Sequence, residues 1–202
     1  NNGNYNELLL DVMEDSRNGS IDREIYSLWS ATEWEGGLEV AKAELTRVIE
    51  DYDYEVETVQ SAIGYLSDME YSTALPELTE LATSRNTELA ASAVRAIGKT
   101  GGETADPLFG ETLLERLLKE DPNDEDNLVA SIIVTLGALR YEPAATELVA
   151  IIEDEGSPAG HRRLACVSVG QIGRENDYIV LENLYYDEDD AITLDDFTIF
   201  QM

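Results

Sequence analysis

A segment of about thirteen residues recurs four times along this chain, and a recurrence of that kind restricts the fold more than any other feature. The copies read EVETVQSAIGYLS (55–67), LAASAVRAIGKTG (89–101), LVASIIVTLGALR (128–140) and HRRLACVSVGQIG (161–173). Each carries a small or β-branched apolar residue at its fifth place (Val59, Ala93, Ile132, Ala165), then a small residue, an aliphatic and a glycine. The glycines Gly64, Gly98, Gly137 and Gly170 lie 34, 39 and 33 residues apart. Such a period implies an array of helical repeats, each burying its apolar face by stacking on its neighbours.

Apolar residues recur at helical spacing in each copy, which predicts amphipathic first helices. A polar break follows each copy, and then a second helical pattern: 72–83, 106–120, 142–154 and 177–186. Pro76, Pro107 and Pro143 fall near the starts of these second helices, where a missing N–H is tolerated. Pro122 and Pro158 punctuate loops. The four glycines are read as places where helices approach closely or end, and Gly101, Gly102 and Gly173 as turn residues. The expected organisation is four helix–turn–helix units at 54–85, 86–120, 126–155 and 160–186. Residues 1–53 form one or two degenerate repeats or cap helices, and 187–202 an acidic tail, all within one continuous solenoid. Trp29 and Trp34 are expected to close the N-terminal end of the array, with an exposed aromatic anchor for a partner as the alternative.

These segments resemble HEAT repeats, in particular the short class first named from phycobilisome lyases. That class favours a first helix of the form Val-Arg-x-x-Ala-x-x-Ala-Leu-Gly-x-Ile-Gly, and HRRLACVSVGQIG and LAASAVRAIGKTG follow it closely. The resemblance covers about residues 53–186 and implies an all-α, right-handed α-solenoid. In the family the early arginine pairs with an acid of an adjacent repeat. Here it stands only at Arg162, with Val56, Ala90 and Val129 in the other copies.

Charge narrows the function. The chain has 43 acids against 13 bases, a net charge of −30, with only three lysines. No basic stripe exists to displace counter-ions from a phosphate backbone, so nucleic acid is not an expected partner. No apolar run is long enough to span a membrane. Two origins of the acidity stay open. Even spreading and scarce lysine favour adaptation to high salt, and the other origin is a surface that captures a basic partner. The lone Cys166 suits a reducing cytoplasm and reads as a buried packing residue.

Catalytic chemistry has little to build on. His161, the single histidine, reads as a surface residue at a helix start, and no serine lies in a nucleophile elbow. Residues 121–132 place Asp121, Asn123 and Glu125 at alternate positions but lack the glycine and final glutamate of a calcium loop. No Cys/His spacing predicts zinc. No catalytic, metal or cofactor site is therefore expected. The expected function is a non-enzymatic scaffold that binds another protein, a basic one being favoured, through the concave face of its second helices. Glu77, Glu80, Glu111, Glu115, Glu147 and Tyr185 are the residues expected to face that groove. Two alternatives stand beside this. One is a bilin-lyase-like subunit acting on a phycobiliprotein, implied by the family resemblance. The other is an acidic inhibitor or immunity-type protein for a basic partner.

Overall fold

A computed structural model of the chain describes residues 3–13, 19–50, 54–101, 107–121, 127–174, 177–179 and 181–182. The helical spacing of apolar residues becomes helix throughout, and no strand occurs among the described residues. The helices are α1 (Gly3–Met13), α2 (Gly19–Ala31), α3 (Leu38–Glu50), α4 (Val56–Asp68), α5 (Leu75–Ala82) and α6 (Thr87–Gly101). They continue as α7 (Pro107–Leu117), α8 (Asn127–Ala138), α9 (Ala145–Glu153) and α10 (Ala159–Ile172). The chain divides into two compact units, Asn1–Gly101 and Gly102–Met202, so the division falls inside the predicted 86–120 segment.

In the first unit α2 packs on α4, and α4 on α6. The second helices make their own row: α3 lies against α5, α3 also touches α4, and α5 touches α6. In the second unit α10 packs on both α8 and α9, while α7 packs on α8. Burial drives each contact. Ile63, Leu66, Leu78, Leu89 and Ile97 in the first unit are at most 1% exposed, as are Leu113, Leu128, Ile132, Leu136 and Leu148 in the second. Each such side chain contributes about 1.5–3 kcal/mol. Cys166 is buried, as expected.

Three first helices end in the same way. Glu33, Glu70 and Arg140 adopt left-handed backbone at φ 50, 50 and 49°. The next N–H, from Trp34, Tyr71 or Tyr141, reaches back to the carbonyl of Trp29, Leu66 or Leu136 at 3.0, 2.9 and 3.1 Å. The left-handed residues themselves donate to Ser30, Ser67 and Gly137. This is the Schellman arrangement, which satisfies carbonyls left open at a helix end. A 3₁₀ turn follows in each case (Glu35–Gly37, Ser72–Ala74, Glu142–Ala144), and its third residue is small and buried. That residue is Gly37 where Trp29 precedes it, because a Cβ at 37 would run into the Trp29 ring; it is alanine where Leu66 or Leu136 precedes.

The shared ending corrects one register. Aligned on the left-handed residue, the partner of Gly137 in the first copy is Ser67, one turn beyond Gly64. A Cβ at Gly64 would meet nothing within 4 Å, so this glycine mediates no close approach. At Gly137 it would lie 2.6 Å from Ser168, and the expected close approach is found. Gly173 ends α10 with φ 75°, as a turn glycine should.

The second helices begin later than their periodicity predicts, because the 3₁₀ turns take up 72–74 and 142–144. After α10, helical backbone resumes at 178–179 and 181–182. Trp29 is fully buried and clusters with Tyr26, Trp34 and Tyr65, which overturns the reading of Trp29 as an exposed anchor. Burial pushes the Tyr26 hydroxyl well above the ordinary phenol range, and that of Tyr65 up to about 12. The Tyr65 hydroxyl donates to the Trp34 carbonyl, binding α4 to the turn after α2. The acidic tail lies outside the described residues.

Candidate binding surface

Within each unit the last turns of two second helices border a cleft. In the first unit the cleft measures about 580 Å³ and is walled by Val48 and Ile49 of α3, Glu80 and Leu81 of α5, and Arg85 and Leu89 around the start of α6. Asn86 holds that start, its Oδ1 accepting the Leu89 N–H at 3.1 Å. In the second unit the cleft measures about 310 Å³, between Leu117 and Leu118 at the end of α7 and Ala150 and Ile151 of α9. Glu120, Glu147 and Asp154 line it as well. The two clefts share a register. Leu81 and Ile151 are each the seventh residue of their helix, and Val48 and Leu117 each the eleventh.

The predicted groove residues divide between these places. Glu80 is exposed and lines the first cleft; Glu147 is partly buried and lines the second. Glu77 is also partly buried, but it braces α5 to α3: its Oε1 lies 3.6 Å from Lys42 Nζ. The other oxygen of Glu77 is buried without a hydrogen-bond partner among the described residues. Glu111 and Glu115 are exposed on α7, Glu115 lying 3.6 Å from Lys119, and neither lines one of these two clefts. Tyr185 lies outside the described residues.

Sequence reasoning missed Arg85, Glu120 and Asp154. All three sit just past the observed ends of α5, α7 and α9, although the predicted patterns ran on through Glu120 and Asp154. Leu118 falls within the predicted 106–120 pattern, but α7 ends at Leu117 and 60% of Leu118 is exposed where it lines the second cleft. Asp154 Oδ1 and Oδ2 accept from the Gly156 N–H and the Ser157 hydroxyl at 3.0 and 2.9 Å, fixing the loop that leads into α10.

His161 corrects another expectation. It does stand at the start of α10, yet it is buried at 5% exposure. Its neighbour Arg162 is buried to the same degree and donates from Nε to the Ile152 carbonyl at 2.8 Å. That bond satisfies a carbonyl in the last turn of α9, so Arg162 ties two consecutive helices through a main-chain acceptor.

Elsewhere on the surface several cations pair with acids. Arg23 pairs with Glu57 and Arg47 with Glu44; Lys99 lies 2.7 Å from Asp68 and Arg174 2.7 Å from Asp177. The Lys99 ammonium and the Ser30 hydroxyl hold the Asp68 carboxyl below its usual range. Among the described residues no group of three or more His, Cys, Asp or Glu converges as a metal site, and no helix is long and apolar enough to cross a membrane. What the clefts offer is apolar wall beside carboxylate, a combination suited to contact with another chain's side chains. Comparison with family models, with curated proteins and with solved structures gives no match for this chain.

Proposed function

We propose that this chain is an α-solenoid of HEAT-like helix pairs that binds another protein along the face of its second helices. The observation that carries the reading is the recurrence of one cleft, in the same register, where consecutive second helices end in each unit. Helix pairs that pack on their neighbours in sequence, and a turn repeated at Glu33, Glu70 and Arg140, support the repeat character. An apolar hollow edged by carboxylate, present in each unit, suits the side chains of an extended or helical segment of a partner. The excess of carboxylates favours a partner that is basic over the contact and speeds its encounter.

Photo-crosslinking in the native host tests this. Benzoylphenylalanine at position 80 or 147 on the second helices is expected to trap the same partner, while position 95 or 134, exposed on α6 and α8, traps none. Equal trapping from both sets, or none from the second helices, would contradict the proposal.

A further inference from the structure

We infer that the cleft between α7 and α9 receives a lysine or arginine side chain of the partner, carried within an apolar stretch. This rests on the protein-binding reading above and names the chemistry of one of its contacts. Equivalent positions in the two units differ in charge. Glu77 and Glu147 are each the third residue of their second helix, and both are partly buried. Glu77 has an internal cation, Lys42, the fifth residue of α3. The fifth residue of α7 is Glu111, so in the second unit that register supplies a second acid where the first unit supplies the cation. Glu147 has no hydrogen-bond or ion-pair partner among the described residues.

The surroundings fit such a side chain. Leu117, Leu118, Ala150 and Ile151 offer apolar wall for an aliphatic stem, and Glu147 an acceptor for its charged head. Glu120 and Asp154 add negative charge at the rim, Glu120 sharing its charge with Arg116 at 3.4 Å. The first-unit cleft differs, because Arg85 stands in it beside Glu80. The preference for a cation therefore belongs to the second cleft alone.

The test is selection from a phage-displayed library of short random peptides on the folded chain, in about 0.5 M KCl so that diffuse attraction to the acidic surface is screened. Enriched peptides are expected to share Lys or Arg next to Leu, Ile, Met or Phe, and to bind at least about tenfold more tightly than their scrambled forms. Leu118→Ser and Glu147→Lys should each weaken binding by about tenfold. Glu111→Lys, which restores the internal cation of the first unit, should weaken it too, while Glu115→Lys, one turn away and equal in charge change, should not. Circular dichroism establishes that the variants remain folded. Peptides without a cation, scrambled peptides that bind as well, or equal losses from Glu111→Lys and Glu115→Lys would overturn the inference. Peptides that bind but respond only to Arg85→Glu would overturn it and leave the protein-binding reading standing. No enriched peptide at all would overturn it too, and the crosslinking comparison would then decide the broader reading.

Discussion

Gly137 of α8 and Ser168 of α10 meet so closely that a Cβ added at 137 would lie 2.6 Å from the Ser168 Cα. Because the glycine has no side chain, the Ser168 hydroxyl reaches the Ile133 carbonyl one turn earlier on α8, at 2.9 Å, in a buried hydrogen bond. Backbone, not a flexible side chain, would have to move to admit an alanine. Gly137→Ala should therefore destabilise the fold by about 1–3 kcal/mol, despite alanine's better helix propensity. Gly64→Ala should do the opposite and stabilise by about 0.5–1 kcal/mol, since open space surrounds that position within α4. Urea unfolding of the pair checks both signs. Two losses of equal size would contradict a register in which Gly137 aligns with Ser67.

The left-handed residues after α4 and α8 make a second prediction. Glu70 and Arg140 are exposed, and their side chains adopt a backbone region that glycine enters without steric strain. Glu70→Gly and Arg140→Gly should each stabilise by about 0.5–1 kcal/mol, where glycine at an ordinary exposed site would destabilise. Thermal melts followed at 222 nm, a wavelength that reports helix, read the change directly. A lower melting temperature in both would show that these turns do not hold the left-handed conformation.

The helices themselves were legible because apolar periodicity is a strong local signal. Val59, Ala62, Ile63 and Leu66 in α4 are all buried, as their spacing requires. Register was harder to read. A helix that slips by one turn keeps nearly the same face, so Gly64 and Gly137 look equivalent when only small and apolar residues are compared. The marker that fixes register is an aromatic residue followed three places later by a small one: Trp34 and Gly37, Tyr71 and Ala74, Tyr141 and Ala144. Its meaning depends on a left-handed Glu or Arg that no propensity rule picks out. The clefts were half legible. Glu80 and Glu147 follow from helical spacing, but the pairing of Glu77 with Lys42 needs α3 and α5 side by side. The burial of His161 likewise depends on packing that a single polar residue cannot announce.

Asp22 provides a pH prediction. One of its carboxylate oxygens is buried without a hydrogen-bond partner among the described residues, and burial, then Glu44 and Glu55, push its pKa above the ordinary 3.8. The folded chain thus holds this proton more tightly than the unfolded chain. The stabilising contribution is complete below about pH 3.8 and is lost as pH rises through the folded value. Asp22→Asn should therefore raise the melting temperature at pH 7, with an advantage that shrinks as pH falls toward the unfolded value. Asp68 has the opposite sign. Its lowered pKa gives stability present above 3.8 and lost as pH falls through the folded value. Half of the Asp68 side chain is exposed, so Asp68→Asn should cost only a small amount at pH 7. Paired melts of each variant and the parent chain across this range check both directions.

The net charge of −30 makes self-repulsion a term in stability. Raising KCl from about 0.1 to 1 M shortens the screening length from about 10 to 3 Å, less than the spacing of most surface charges. The melting temperature should rise across that interval. A further rise at multimolar KCl would reach beyond screening and fit a chain adapted to high salt. A melting temperature that falls with KCl would mean that pairs such as Lys99–Asp68 outweigh the repulsion.

Amide hydrogen exchange with the crosslinked partner, purified and added back, tests whether a partner protein binds on the second-helix face. Exchange is expected to slow at the ends of α5 and α9 and in the segments that follow them, with α4 and α8 unchanged. Protection confined to α4 and α8, or no protection on either second helix, would contradict it.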